Sequence, residues 1–134
     1  MRYFLFALIT FCFIGCSDKC EDGDIQYDLI KLKKSISTQN DDINFIDVGC
    51  KNSSLIYIYQ INPNDKFGKT LKSSSTKKEF SEFAKKELKK LYCNKDMIDF
   101  YVYKEKGIGV KWQYFFEGDK KPFCEVSVGK KDCE

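Results

Sequence analysis

Seven cysteines supply most of the reactive chemistry in this chain of 134 residues. A cysteine can carry an acyl group, form a disulfide or bind a metal as its thiolate. No two of them stand in the C-x-x-C spacing of a structural zinc site, and the sequence contains no histidine. We therefore predict no metal site and no cofactor. The absence of histidine also excludes the Ser–His and Cys–His couples of nucleophilic catalysis.

Cys16 follows a hydrophobic N-terminal segment. Arg2 precedes an apolar stretch from Tyr3 to Ile14, which is the layout of a secretory signal and is too short to cross a bilayer core of ~30 Å. The residues Phe13-Ile14-Gly15-Cys16 resemble the lipobox of bacterial lipoproteins, with Phe13 where Leu, Val or Ile is usual. In lipoproteins a peptidase cuts before this cysteine, whose thiol and new amino group then carry acyl chains.

The lipobox resemblance implies a signal peptide over residues 1–15 and fatty acyl chains such as palmitate on Cys16. Two or more such chains hold a protein stably on a bilayer. Ser17, rather than Asp, follows Cys16, which resembles the sorting signal for the outer membrane. We therefore expect a protein on the periplasmic face of the bacterial outer membrane, bound to the lipid bilayer through Cys16.

The remaining residues, 16–134, have the length of one small domain. The net charge of the full chain is only +3, and Arg2 is its one arginine, so neither nucleic-acid binding nor bidentate phosphate recognition is predicted. Five cysteines lie beyond Cys16, and an oxidising compartment favours disulfides among them. Two bridges drawn from five cysteines allow about fifteen pairings, and spacing alone does not choose one.

The first half of the domain is predicted to contain one helix and two strands. Residues 16–24 are short and polar, which is typical of a tether, and the folded domain is expected over 25–134. Asp24 is predicted to cap a helix that ends near Thr38, because apolar residues recur at helical spacing after it. Strands follow over Ile43 to Val48 and Leu55 to Ile61, and alternation places Tyr57 and Tyr59 on one face of the second strand. Residues 49–53, which include Cys50, are predicted to form the loop between them.

The second half is predicted to contain a long helix, a short helix and a hairpin. Residues 64–75 lack a pattern and are predicted to be a loop. Thr76 and Glu79 fit a capping box at the start of a helix that runs to Tyr92. Residues 94–106 favour a short helix. Strands with alternating apolar residues then cover Ile108 to Phe116 and Cys124 to Val128, with a turn at 117–120.

This order of elements predicts an α+β fold with a four-stranded, mainly antiparallel sheet and two or three helices packed on one face. One layer of helices leaves the other face of the sheet partly exposed. Ile56, Ile58 and Phe115 are expected on that face, which makes it a candidate contact surface. The alternative is that the segment 62–75 covers it.

The layout resembles the small β-type pilotin lipoproteins of type II secretion systems and a broader set of bacterial lipoproteins. The resemblance lies in the lipobox, a helix that ends in Leu91-Tyr92-Cys93, a strand led by Gly107-Ile108, and the terminal Lys131-Asp132-Cys133. It implies a disulfide between Cys93 and Cys133 as the first choice. Cys50 with Cys124 is the second choice, which leaves Cys20 spare or paired with another molecule.

The resemblance implies binding without catalysis. A pilotin captures a C-terminal helix of a secretin subunit in a groove and carries that subunit to the outer membrane, which requires apolar anchors and no reactive group. The exposed sheet face and the gap between the two main helices are both candidates for the groove. The alternative is another envelope lipoprotein, such as an immunity, exclusion or inhibitor protein.

An enzymatic role is not predicted, and no catalytic residue is assigned. Asp41-Asp42 and the pair Asp96 and Asp99 are the candidate carboxylates. Aspartates are expected in turns for backbone reasons, and nothing in the pattern places either pair across a cleft.

Overall fold

A computed structural model describes residues 18–36 and 42–134 of the chain. The predicted signal peptide and the predicted acylation site, Cys16, lie outside these residues. In the described part, no helix combines the length and the apolar character needed to cross a membrane.

The predicted α+β class is confirmed. The helices are α1 (Gly23–Ser35), α2 (Lys66–Leu71), α3 (Ser74–Cys93) and α4 (Ile98–Glu105). The strands are β1 (Ile43–Lys51), β2 (Ser54–Ile61), β3 (Gly109–Phe116) and β4 (Cys124–Val128). Two 3-10 helices, Lys19–Glu21 and Lys130–Cys133, flank these elements.

The four strands form one sheet in the order β1-β2-β3-β4. The two outer pairs are antiparallel, whereas β2 and β3 are parallel, with Ser54 opposite Gly109 and Ile61 opposite Phe116. A parallel pair needs a long crossover, which α2, α3 and α4 supply. The sheet therefore consists of two hairpins joined side by side.

The turn between β1 and β2 is shorter than predicted. It consists of Asn52 and Ser53, whose φ angles are 51° and 57°. Positive φ at both central residues is the geometry that matches the twist of a two-residue hairpin. Cys50 consequently belongs to β1 rather than to a loop.

All four helices lie on one side of the sheet. α1 packs on β1, while α3 packs on β3 and β4. Ile25 of α1 and Leu88 of α3 are fully buried against the strands. Tyr92 of α3 is also fully buried, and its hydroxyl donates a hydrogen bond of 2.8 Å to the carbonyl of Ile108.

Two helix starts differ from the predicted ones. Asp22, not Asp24, caps α1, and its carboxylate accepts from the N–H of Asp24 at 2.9 Å. α3 begins at Ser74, so Thr76 lies inside the helix and the predicted capping box is absent. Asp22 lies two residues before the predicted cap of α1, and Ser73 precedes α3 without a side-chain capping bond.

The predicted loop over residues 64–75 contains α2. The carboxylate of Asp65 caps this helix by accepting from the N–H of Gly68 at 2.7 Å. A Cβ at Gly68 would overlap the carbonyl of Asn62, so glycine permits this close approach. Leu71 is buried in the core, and α2 therefore packs on the helix side and leaves the outer face of the sheet uncovered.

Residues 18–24, which belong to the predicted polar tether, make contacts with the folded domain. The carboxylate of Asp18 accepts from the backbone N–H groups of Ser53 at 2.8 Å, Asn52 at 2.9 Å and Cys20 at 3.0 Å. Cys20 is buried and forms a disulfide with Cys50. The N-terminal segment is thus fixed to the β1–β2 turn.

Two predictions are therefore wrong. Cys50 pairs with Cys20 and not with Cys124, and Cys20 is not spare. Cys50 lies at the end of β1 beside the N-terminal segment, whereas Cys124 begins β4 at the opposite edge of the sheet. Cys124 is the free cysteine of the described chain, and burial raises the pKa of its thiol. The structure also joins Cys93 to Cys133, which ties the end of α3 to the segment after β4.

Asp18→Asn is expected to destabilise the domain near neutral pH but not in acid. Hydrogen bonds from the backbone N–H groups of Cys20 and Ser53 hold the pKa of Asp18 below its ordinary value of 3.8. A lowered carboxyl pKa stabilises the fold above that ordinary value, and this contribution is lost as the pH falls through the folded-state pKa. Urea unfolding of both proteins across this range measures the difference.

The wild type and the variant should converge once the pH lies below the folded-state pKa of Asp18, which is itself below 3.8. Asp22 and Asp132, whose pKa values are also lowered, are unchanged in both proteins and cancel in the comparison. Equal stability of the two proteins near neutral pH would show that the hydrogen bonds of the Asp18 carboxylate do not stabilise the fold.

Candidate binding groove

Four aromatic side chains form a half-buried floor on the helix side of the sheet. They are Phe45 of β1, Tyr57 and Tyr59 of β2, and Trp112 of β3. Tyr57 lies opposite both Val48 and Trp112, and Val48 is buried in the core. Residues opposite each other share a face, so these rings face the helices although helices do not fully cover them.

The floor is exposed because the helices stand over the flanks of the sheet. α1 covers β1, and α3 covers β3 and β4. Near the two ends of β2, Leu55 and Ile61 are buried, whereas Tyr57 and Tyr59 between them are half-buried. The gap between α1 and α3 above these rings is called the aromatic groove below.

The rings of the floor pack against one another. Tyr59 stacks on Tyr114 with the ring centroids 5.0 Å apart, meets Trp112 edge-on at 6.1 Å and approaches Phe45 at 5.6 Å. Burial raises the pKa of Tyr59 to about 12 and also raises that of Tyr114. The floor is therefore uncharged near neutral pH and is held in place by its own contacts.

Helix α4 closes one end of the aromatic groove. It packs against α3, and the Tyr103 hydroxyl donates to the Asp28 carboxylate of α1 at 3.4 Å. Just after α4, Lys106 forms ion pairs of 3.1 Å with both Asp22 and Asp24 at the start of α1. A small cleft of about 170 Å³ remains between α1 and α4, lined by Asp28, Lys31, Leu32 and Tyr103.

A larger cleft lies beside the start of β1. It measures about 480 Å³ and is lined by Asp42, Asp65, Lys66, Phe67 and Thr70. The ring of Phe67 meets Phe80 of α3 edge-on, with the centroids 6.5 Å apart. Phe80 in turn lies edge-on to Tyr114 at 4.9 Å, so aromatic packing continues from this cleft to the floor.

The outer face of the sheet has a different character. Ile56, Ile58 and Phe115 are half-buried there. Beside them, Glu125 accepts a hydrogen bond of 2.6 Å from Gln113 and pairs with Lys111 at 3.4 Å. This polar network divides the outer face, whereas the floor on the helix side consists of four adjacent aromatic rings.

The lining of the aromatic groove suits the apolar face of a helix or an extended peptide. Aromatic floors with polar rims supply burial and a few orienting hydrogen bonds. Strand alternation had placed Tyr57 and Tyr59 on one face, which the structure confirms. The gap between the two main helices is one of the two predicted candidates for the groove, whereas its place above these rings depends on how distant helices pack.

The architecture is shared with solved structures of bacterial secretion pilotins. No protein-family model and no curated protein matches the sequence. The chain is similar to the pilotin EpsS of the Vibrio vulnificus type 2 secretion system, with 9% identity and a TM-score of 0.54 over 81% of this chain and 86% of that one.

Two further structures are similar. A protein of Pseudomonas aeruginosa described as secreted has 14% identity and a TM-score of 0.59, over 90% of this chain and 100% of that one. The type II secretion system pilotin AspS of Vibrio cholerae has 13% identity and a TM-score of 0.49, over 80% of this chain and 86% of that one. At these identities the likeness concerns the fold.

Proposed function

We propose that this chain is a lipid-anchored, non-catalytic adaptor of the bacterial envelope that binds a helix of a partner protein in the aromatic groove. The observation that carries the proposal is the half-buried floor of Phe45, Tyr57, Tyr59 and Trp112. In the described part of the chain these four rings remain half-buried, and the exposed area that they keep is what an apolar partner would cover.

The lipid anchor is the acylated Cys16 of the sequence. The proposed location of the protein is the periplasmic face of the outer membrane, which the lipobox and Ser17 support. Two disulfides in the folded domain agree with an oxidising compartment.

The partner is an amphipathic helix, and the C-terminal helix of a secretin is the proposed source. A helix recognised in a groove inserts residues spaced at i, i+3, i+4 and i+7, and the floor offers several adjacent aromatic contacts for them. The likeness in fold to the pilotin EpsS supports this choice of partner. The absence of histidine in the whole sequence agrees with binding rather than acid–base chemistry.

Trp112→Ala is expected to weaken binding of the secretin helix by about 30-fold, which corresponds to about 2 kcal/mol for a central aromatic anchor. The measurement is the fluorescence anisotropy of a labelled peptide that carries the C-terminal helix of the secretin from the same organism. Trp112 is also the single tryptophan of the chain, so its emission reports occupancy of the groove in the wild type.

Ile58→Ala is the matched control, because Ile58 lies on the neighbouring strand with its side chain on the outer face. Its binding should stay within about twofold of the wild type, which is the range of an energetically neutral contact. A larger loss from Ile58→Ala than from Trp112→Ala would move the site to the outer face. No binding of the peptide, under conditions in which a known pilotin binds its own secretin helix, would reject the secretin as partner.

A further inference from the structure

The end of the sheet at which β1 ends and β2 begins is called the anchor end here. It carries the turn Lys51–Ser54, the N-terminal residues Asp18 and Lys19, and the segment Gly129–Lys131. We infer that the anchor end rests directly on the phospholipid headgroups of the membrane, so that the domain stands upright on the bilayer. The inference rests on the acylated Cys16 of the proposed function.

The first argument is the length of chain between lipid and domain. Only Ser17 separates Cys16 from Asp18 in the sequence, and two peptide units span at most ~7 Å between these Cα atoms. Asp18 is fixed by the N–H groups of Asn52 and Ser53, and Cys20 is fixed by its disulfide to Cys50. The acyl chains are therefore attached next to the β1–β2 turn, without a linker that would let the domain move away.

The second argument is the set of exposed lysines at the anchor end, which are Lys19, Lys51, Lys130 and Lys131. Three carboxylates of the same end have identified partners and keep their negative charge. Asp18 accepts from backbone N–H groups, Asp22 pairs with Lys106, and Asp132 accepts from the N–H of Gly129.

The other acidic side chains of this end are Glu21, Asp24 and Glu134, and Asp24 also pairs with Lys106. The anchor end is therefore not a net positive surface, and its exposed lysines offer individual ammonium groups to a bilayer. Lipid phosphates are the complementary charge that a surface held on a bilayer meets first.

The inference fixes the direction of the aromatic groove. The eight residues of β2 span ~26 Å at ~3.3 Å per residue. The turn at 117–120 and the cleft at the start of β1 then lie about this far from the membrane. A partner helix enters from the periplasmic side and not from the lipid.

The test uses the full-length acylated protein in vesicles of phosphatidylethanolamine and phosphatidylglycerol that contain a lipid with a nitroxide on its headgroup. A fluorophore is attached at Lys51→Cys on the anchor end or at Lys120→Cys on the far end. Both are exposed lysines, so the two variants are matched in charge. Protein without an added cysteine corrects for any labelling of Cys124.

Quenching of the Lys51→Cys label is expected to be at least threefold greater than that of the Lys120→Cys label. Inserting twelve Gly and Ser residues between Ser17 and Asp18 should remove most of this difference. Equal quenching of the two labels in acylated protein would overturn the inference while leaving the anchor in place. Mass spectrometry that finds no acyl chain on Cys16 would instead reject the anchor itself, and the inference with it.

Discussion

Replacing Cys93 and Cys133 together by alanine is expected to lower the free energy of unfolding by about 4 kcal/mol. The two cysteines are 40 positions apart in the sequence, and closing a loop of this size restricts the unfolded chain by about that amount in the chain-entropy model. The stability of a single domain is about 5–15 kcal/mol. The bridge therefore accounts for a large part of it.

Urea unfolding followed by the emission of Trp112 measures this loss. Cys124→Ala is the control, because it removes a buried thiol but no cross-link, and it should cost about 1 kcal/mol. A thiol reductant breaks two bridges in the wild type but only the bridge between Cys20 and Cys50 in the double variant. It should therefore lower the urea midpoint of the wild type more than that of the double variant. Equal midpoints for the wild type and the double variant would contradict the prediction.

Tyr92→Ala is expected to cost about 3–5 kcal/mol of unfolding free energy. The ring of Tyr92 is fully buried between α3 and the sheet, and removing a buried aromatic ring leaves a cavity that the surroundings fill only partly. The hydroxyl also holds the Ile108 carbonyl at 2.8 Å. Its loss leaves a buried acceptor without a partner.

Tyr92→Phe separates these two causes, because it keeps the ring and removes only the hydrogen bond. It should cost about 1–2 kcal/mol. Unfolding curves of the three proteins in the oxidised state measure both values. If Tyr92→Ala is no more destabilising than Tyr92→Phe, the ring does not contribute the expected packing energy.

The elements with a strong local pattern were predictable from the sequence. The stripe that includes Ala84 and Leu88 defined α3, and alternation defined β2, β3 and β4. These patterns follow from burial of one face, so they persist whatever the rest of the chain does. The order of elements then led to the α+β sheet with its helices on one face.

Features that depend on distant contacts were not predictable. Helix α2 has six residues, which is too short for a period to be visible, and its Leu71 is placed by the core. The fixed N-terminal segment depends on Asp18 meeting the β1–β2 turn, which is far away in sequence. A short polar stretch before a domain gives no sign of such a contact, and the partner of Cys20 was missed for the same reason.

The candidate site likewise combines features that were predictable from a local pattern with features that depend on distant contacts. The sequence assigned Tyr57 and Tyr59 to one face of β2, yet it gave no measure of how much of that face the helices cover. The gap between α1 and α3 follows from α1 packing on β1 and α3 packing on β3 and β4. Only the assembled helix layer shows that the gap lies above these rings.

The parallel pairing of β2 and β3 has a consequence for how the chain folds. Each hairpin can form early from neighbouring residues, but Ser54 meets Gly109 only when the three intervening helices bring the two hairpins together. Contacts between such remote segments slow folding, and until they form one edge of β2 lacks a hydrogen-bonding neighbour. The newly synthesised chain is therefore most prone to self-association in the interval before its two halves dock.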